Sequence, residues 1–192
     1  IGDVVGLGKT YIASALVKMM EENDNLKTLI VCPPKLVRMW DSYIERFDLK
    51  AKALSIGSLD LKELEELKRY KLIVVDESHN LRNPEGKRYR ALREYIRFND
   101  SKVVLLTATP YNKTFIDIST QLGLFLDHEA DLGLSPERLL ADMGGVHQFR
   151  AKHQVEPQTL AAFEKSNFAD DWRDLLKLFM VRRTRSFIIE HF

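Results

Sequence analysis

Three short apolar runs, Leu29 to Cys32, Leu72 to Val75 and Val103 to Leu106, restrict what this chain can fold into more than any other feature. None is interrupted by a polar residue, and each stops at a loop of proline, threonine or acidic residues. Runs of this kind read as strands buried on both faces, which is how strands of a parallel sheet differ from half-solvated antiparallel ones. Ala51 to Ile56 is a weaker strand candidate. Between the runs the apolar residues recur at helical spacing: Ile12, Leu16, Met19 and Met20; then Leu36, Trp40, Tyr43, Ile44 and Phe47; then Tyr89, Leu92 and Ile96. Leu61 to Tyr70, with balanced charges around Leu61, Leu64 and Leu67, suits an exposed helix. Strand, helix, strand, helix is the order of an α/β domain with a mostly parallel sheet flanked by helices.

In open sheets of that type ligands bind beyond the carboxyl ends of the strands. The chemically informative residues fall there. Gly6-Leu7-Gly8-Lys9-Thr10 is a glycine-rich turn followed at once by a helical run. Glycines let backbone N–H groups close around an anion, the helix start adds its positive dipole end, and Lys9 and the Thr10 hydroxyl can serve terminal phosphates and Mg²⁺. Asp3 stands where the strict phosphate-loop pattern has a further glycine, so a second motif is required. Asp76-Glu77 supplies it, directly after an apolar run. An Asp-Glu pair alone is commonly a helix cap or a turn. Paired with a phosphate loop upstream, Asp76 is placed to hold Mg²⁺ and Glu77 to orient or deprotonate an attacking water.

The four stretches GLGKT, LIVCPP, VVDESH and LLTATP, in this order and spacing, resemble motifs I, Ia, II and III of the superfamily 2 helicases. Asp3 before the loop, Asn80-Leu81-Arg82-Asn83 after DESH and the late Val181-Arg182-Arg183-Thr184-Arg185 resemble the SWI/SNF-like ATPases within that group. The resemblance covers residues 1 to about 115 well and the stretch around 180 to 186 more loosely. It implies a RecA-like lobe in which Gly6, Gly8, Lys9 and Thr10 bind ATP, Thr10 and Asp76 hold Mg²⁺, and Lys9, Asp76 and Glu77 are catalytic. It implies further that His79, Thr107 and Thr109 couple the nucleotide state to DNA and to a second RecA-like lobe, while Pro34 and Lys35 touch the nucleic-acid backbone. Double-stranded DNA is the partner it implies, and movement along the duplex the activity. Two positions depart from the pattern: Val4 stands where an acidic residue is usual, and the box reads DESH rather than DEAH.

The resemblance sets the domain organisation: an ATP-binding lobe over 1–115, a helical appendage over 116–180 and the start of a linker to a second lobe over 181–192. Ile116 to Leu126, Pro136 to Met143 and Asp171 to Met180 read as helices of the appendage, and Gly144 to Ser166 is polar and ambiguous. A strand leading into Gly6 is expected before Ile1. Without the second lobe, this stretch of chain is expected to bind Mg·ATP weakly and to turn it over poorly. Two other functions stay open at this point: an RNA or single-strand helicase of DExH type, and a binding platform responsive to nucleotide without turnover.

Composition narrows the rest. A net charge of +1 over 192 residues leaves nucleic-acid contact to a local face, not a global field. Arg82, Lys87, Arg88, Arg90, Arg93 and Arg97 could form that face, but read first as a solvated helix surface. A single cysteine, Cys32, excludes internal disulfides and cysteine-rich metal clusters, and it reads as a small buried hydrophobe. Trp40 and Trp172 read as core. No apolar stretch reaches 18 residues, so no membrane partner is expected, and the location expected is cytoplasmic or nucleoid-associated, nuclear in a eukaryote.

Overall fold

A computed structural model describes residues 1, 8–67, 69–108 and 114–181. Gly6 and Thr109 among the expected site residues, and the linker from residue 182 on, lie outside the described residues. The chain divides into two compact units, Ile1–Pro110 and Tyr111–Val181.

The first unit holds four parallel strands, β1 (Thr28–Cys32), β2 (Ala51–Ser55), β3 (Leu72–Asp76) and β4 (Lys102–Leu106), in the order β2-β1-β3-β4. Helix α1 (Lys9–Asp24) precedes β1, and α2 (Val37–Arg46), α3 (Leu61–Glu66) and α4 (Lys87–Asn99) occupy the three intervals between the strands. Every residue of β1 and β3 is buried, as continuous apolar runs require of interior strands. On one face Ile30, Cys32, Leu72, Val74 and Leu106 pack with Ala13 and Val17 of α1 and Trp40 of α2. Leu29, Val31, Ile73 and Val75 alternate to the opposite face and are equally buried.

β4 is less covered than its sequence predicts: only Leu106 is buried and Val103 to Leu105 are half-exposed. Ile1 lies at its outer edge. The Ile1 nitrogen donates to the Leu105 carbonyl at 2.6 Å and the Thr107 N–H donates to the Ile1 carbonyl at 3.1 Å, the pairing of a parallel neighbour. Helix ends are punctuated as the sequence dictates. Asn25 stops α1 and Asp100 stops α4, both in the left-handed conformation that these residue types tolerate.

From β1 the chain steps outward to β2, then returns across β1 to β3 on its other side. The carboxyl ends of β1 and β3 therefore flank the point where strand order reverses, the usual position of a ligand crevice in such sheets. Cys32 and Asp76 end those two strands.

Helix α1 carries a buried carboxyl. Glu21 is 4% exposed and neither carboxyl oxygen has a well-formed hydrogen bond, so burial pushes its pKa up, against a partial pull from the Lys50 backbone N–H and the Lys18 charge. A carboxyl raised in the folded state gives stability that is full below the ordinary carboxyl pKa and lost as pH rises through the folded value. Glu21→Gln is expected to stabilise the first unit by about 1–2 kcal/mol at neutral pH, with the gain vanishing near pH 4. Urea denaturation at the two pH values checks this, and a gain independent of pH would refute it.

The second unit is helical: α5 (Ile116–Leu122), α6 (Glu137–Asp142), α7 (Val146–His153), α8 (Leu160–Phe163) and α9 (Ala169–Phe179). Its core gathers Ile118, Leu122, Leu160, Phe163, Trp172 and Leu175, with Phe115 stacked on Trp172 at 5.7 Å. A smaller cluster holds Leu139, Leu140, Phe149 and Ala162. Among the described residues no helix is long and apolar enough to cross a membrane.

Candidate functional site at the carboxyl ends of β1 and β3

Gly8 occupies the N-cap of α1 with φ +74°, a left-handed conformation costly for any side chain, and a Cβ built there would meet nothing within 4 Å. Among the described residues, therefore, nothing crowds the start of this 16-residue helix. The first turn of α1 carries no acidic residue and Gly8 offers no side chain to cap it, so the backbone N–H groups at its positive end are left without a side-chain cap from Gly8 or a carboxylate in the first turn. Lys9 and Thr10 open the helix, both half-buried. These are the conditions an anionic ligand needs.

Asp76 ends β3 and is 5% exposed. Each of its oxygens is held by a different donor: the Glu77 backbone N–H donates to Oδ1 at 2.9 Å and the Trp40 indole N–H to Oδ2 at 2.9 Å. Burial pushes its pKa up and the Glu77 charge adds to this, while the two hydrogen bonds and the Lys9 ammonium pull it back. The Lys9 influence places the lysine of the glycine-rich turn within electrostatic reach of Asp76.

Glu77 has φ +51°, ψ +48°, a strained conformation for a residue with a side chain, and such strain persists where the surroundings impose it. Its Oε2 lies 3.1 Å from His79 Nδ1, and the same nitrogen is 3.4 Å from Thr107 Oγ1. A carboxylate at that distance requires the proton on Nδ1, so His79 donates to Glu77. Three residues from the ends of two adjacent strands thus meet. Among the described residues, the structure brings Lys9, Asp76, Glu77, His79 and Thr107 into one neighbourhood, Thr10 following Lys9 in the chain.

Pro34 and Lys35 do not join that cluster. Both are exposed, in a 3₁₀ turn (Pro34–Leu36) after β1. Pro34 instead lines a cleft of about 560 Å³ together with Pro33, Asn80, Asn83, Lys87 and Arg88. Lys87 and Arg88 are exposed at the start of α4, as a solvated helix face requires, and they also line this cleft. Trp40 is the residue that sequence reasoning missed: fully buried as expected of core, it also spends its N–H on Asp76. Cys32, beside Asp76 and buried, has its thiol pKa pushed up to about 12, first by burial and then by the Asp76 charge. It stays a thiol at neutral pH, as its sequence position implied.

No protein-family model matches the chain. The ATP-dependent helicase YqhH of Bacillus subtilis is 26% identical over 204 residues, covering 96% of this chain and 33% of that protein. The chromodomain-helicase-DNA-binding protein 1-like of Mus musculus is 25% identical over 217 residues, covering 97% of this chain and 22% of its own length. The SWI2/SNF2 ATPase core of Sulfolobus solfataricus, solved in complex with double-stranded DNA, superposes with a TM-score of 0.61 at 23% identity, over 96% of this chain and 39% of that one. The chain is similar to superfamily 2 helicase lobes of SWI/SNF-like type. Its four-stranded parallel sheet and flanking helices are the RecA-like α/β architecture anticipated from the apolar runs. The lobe spans about a third or less of the curated relatives it matches.

Proposed function

We propose that the first unit is the ATP-binding lobe of a DNA-dependent ATPase that couples hydrolysis to movement on duplex DNA. The observation that carries this reading is the convergence of Lys9, Asp76, Glu77, His79 and Thr107 around the end of β3. Gly8 and the start of α1, together with Gly6, receive the phosphates, and Lys9 and Thr10 bind their terminal oxygens.

The donor set fits Mg²⁺. Each Asp76 oxygen accepts one hydrogen bond and so keeps a lone pair. Among the described residues no group of three or more His, Cys, Asp and Glu gathers to hold a metal. A cation would therefore rest on Asp76, Thr10 and phosphate oxygens, as this hard, water-retaining ion does elsewhere. Bound there, Mg²⁺ supplies charge neutralisation for phosphoryl transfer. Glu77 orients or deprotonates the attacking water, and the His79 N–H fixes which way its carboxylate points. Because the same His79 nitrogen faces Thr107, the arrangement links the water-activating group to the loop after β4, which with Thr109 we assign to coupling with DNA and a second lobe.

We assign Pro34 and Lys35 to the nucleic-acid backbone; Pro34 lines the cleft with Lys87 and Arg88, and Lys35 follows it in the same exposed turn. The lobe corresponds to the first compact unit, Ile1–Pro110, so the boundary moves from 115 to 110 and Phe115 belongs to the helical appendage. Residues from 182 on are proposed as the start of a linker to a second lobe. Alone, this chain is expected to bind Mg·ATP weakly and turn it over poorly.

Glu77→Gln is expected to bind Mg·ATP within about threefold of the parent and to lower turnover by about 10²–10³-fold. Comparing turnover with duplex DNA, single strands and RNA completes the test. Strongest stimulation by duplex DNA supports the proposal; strongest stimulation by RNA or single strands transfers it to a DExH helicase; binding without turnover in the full-length protein makes the lobe a nucleotide-responsive platform.

A further inference from the structure

We infer that Trp40 is a positioning residue for the nucleotide site: its buried indole N–H fixes the orientation of the Asp76 carboxylate at the mouth of the glycine-rich turn. This rests on the proposed role of Asp76 as the cation-holding carboxylate.

Packing alone does not account for Trp40. Its ring is completely buried among Ile30, Cys32, Val74 and Leu106, a setting that aliphatic or phenyl side chains could also fill. What distinguishes tryptophan there is the N–H, which once buried must find an acceptor. The chain contains a second buried tryptophan for comparison. Trp172 meets the same requirement by donating to the Ser166 backbone carbonyl at 2.9 Å, a purely structural solution. Trp40 instead donates to a carboxylate that is itself buried. Burying that carboxylate is costly, and its presence at the end of β3 calls for a role beyond satisfying an indole.

Two donors on two oxygens also do what one cannot. A carboxylate at a strand end turns readily about its terminal torsion. With only the Glu77 N–H on Oδ1, Asp76 would keep that freedom. The Trp40 N–H on Oδ2 removes it, leaving the remaining lone pairs in fixed directions. The donor is itself held firmly. Trp40 sits in the first turn of α2, which follows Pro33 and Pro34, whose rings fix the backbone leading into the helix. Supporting partners of this kind are what keep a ligating group within the narrow geometry a cation tolerates.

The two tryptophans make the test direct, because each contributes one indole N–H signal to a ¹⁵N–¹H spectrum, one in each unit. ADP is added to the intact chain in EDTA and then with Mg²⁺. The expected result is a metal-dependent shift of the Trp40 signal while Trp172 stays in place, alongside shifts of the Gly8, Lys9 and Thr10 amides. Trp40→Phe is expected to need about tenfold more Mg²⁺ to reach the same ADP affinity, with affinity in EDTA unchanged. Shifted Gly8 to Thr10 amides with an unmoved Trp40 signal, or an unaltered Mg²⁺ requirement in folded Trp40→Phe, would reduce Trp40 to a packing residue. Silence of both the amides and the indole would overturn the nucleotide reading and this inference with it. Should Trp40→Phe fail to fold, the spectrum of the parent chain decides.

Discussion

Asp171→Ala is expected to destabilise the second unit by about 3–5 kcal/mol, among the largest effects of any single substitution in this chain. Helix α6 begins after Pro136, which has no side-chain oxygen to cap it. The cap comes from α9. Asp171, 2% exposed, accepts from the Arg138 N–H at 2.9 Å through Oδ1, and from the Leu139 N–H at 3.2 Å and the Ser166 hydroxyl at 2.5 Å through Oδ2. Removing the carboxylate strands three donors, two of them in the first turn of a helix, each costing about 1 kcal/mol or more when buried unsatisfied. Asp171→Asn retains one acceptor oxygen and should fall between the two. Asp174→Ala, which breaks an exposed pair with Lys177, should leave the unit near its original stability. Hydrogen exchange at α6 and α9 reads this out, and unchanged α6 protection in Asp171→Ala would refute it.

Asp76→Asn is expected to lower Mg·ATP affinity by about 100-fold, down to the affinity measured in EDTA. The substitution is not innocent in shape. The Glu77 and Trp40 N–H groups each point at a carboxylate oxygen, whereas an amide offers one oxygen and one NH₂, so one donor must face another. A loss of stability of about 1–3 kcal/mol should accompany the loss of metal dependence. Binding isotherms with and without Mg²⁺, beside a thermal melt, separate the two effects. If Mg²⁺ still tightens ATP binding to the asparagine variant as it does to the parent, Asp76 is not the cation ligand.

The sheet was legible because β1 and β3 are interior strands, and only such strands can be unbroken apolar runs. β4 carries the same residue types but lies at the edge of the described sheet, so its run overstated its burial. Helix α1 had the right period and the wrong phase. Ile12, Leu16, Met19 and Met20 are its most apolar stripe, yet Ala13, Ser14, Val17 and Glu21 are buried, and Met19 is 51% exposed. Small residues let the helix lie close to the sheet, and hydrophobicity alone does not measure that closeness. Helices α7 and α8 were not apparent because Gly144 to Ser166 is mostly polar, with Phe149, Leu160, Ala162 and Phe163 too scattered to declare a face.

At the candidate site, strand ends put Asp76 and Glu77 forward and the family resemblance put His79 and Thr107 forward; the structure sets Glu77, His79 and Thr107 side by side because residues following neighbouring parallel strands converge. The indole of Trp40 was different. Its helical spacing marked it as core, which it is, but no pattern in the sequence says which acceptor a buried N–H will meet 36 positions away.

Equilibrium binding of ATP to the parent chain and to Lys9→Ala, in Mg²⁺ and followed by thermal stabilisation, tests the nucleotide site most directly. The parent chain should gain stability in proportion to the logarithm of ATP concentration once its weak site begins to fill. Lys9→Ala should bind about 10–100-fold more weakly, the loss expected on removing a charged phosphate contact. Equal affinity in the two proteins, or no stabilisation of the parent chain at millimolar Mg·ATP, would contradict the assignment of this lobe as an ATP site.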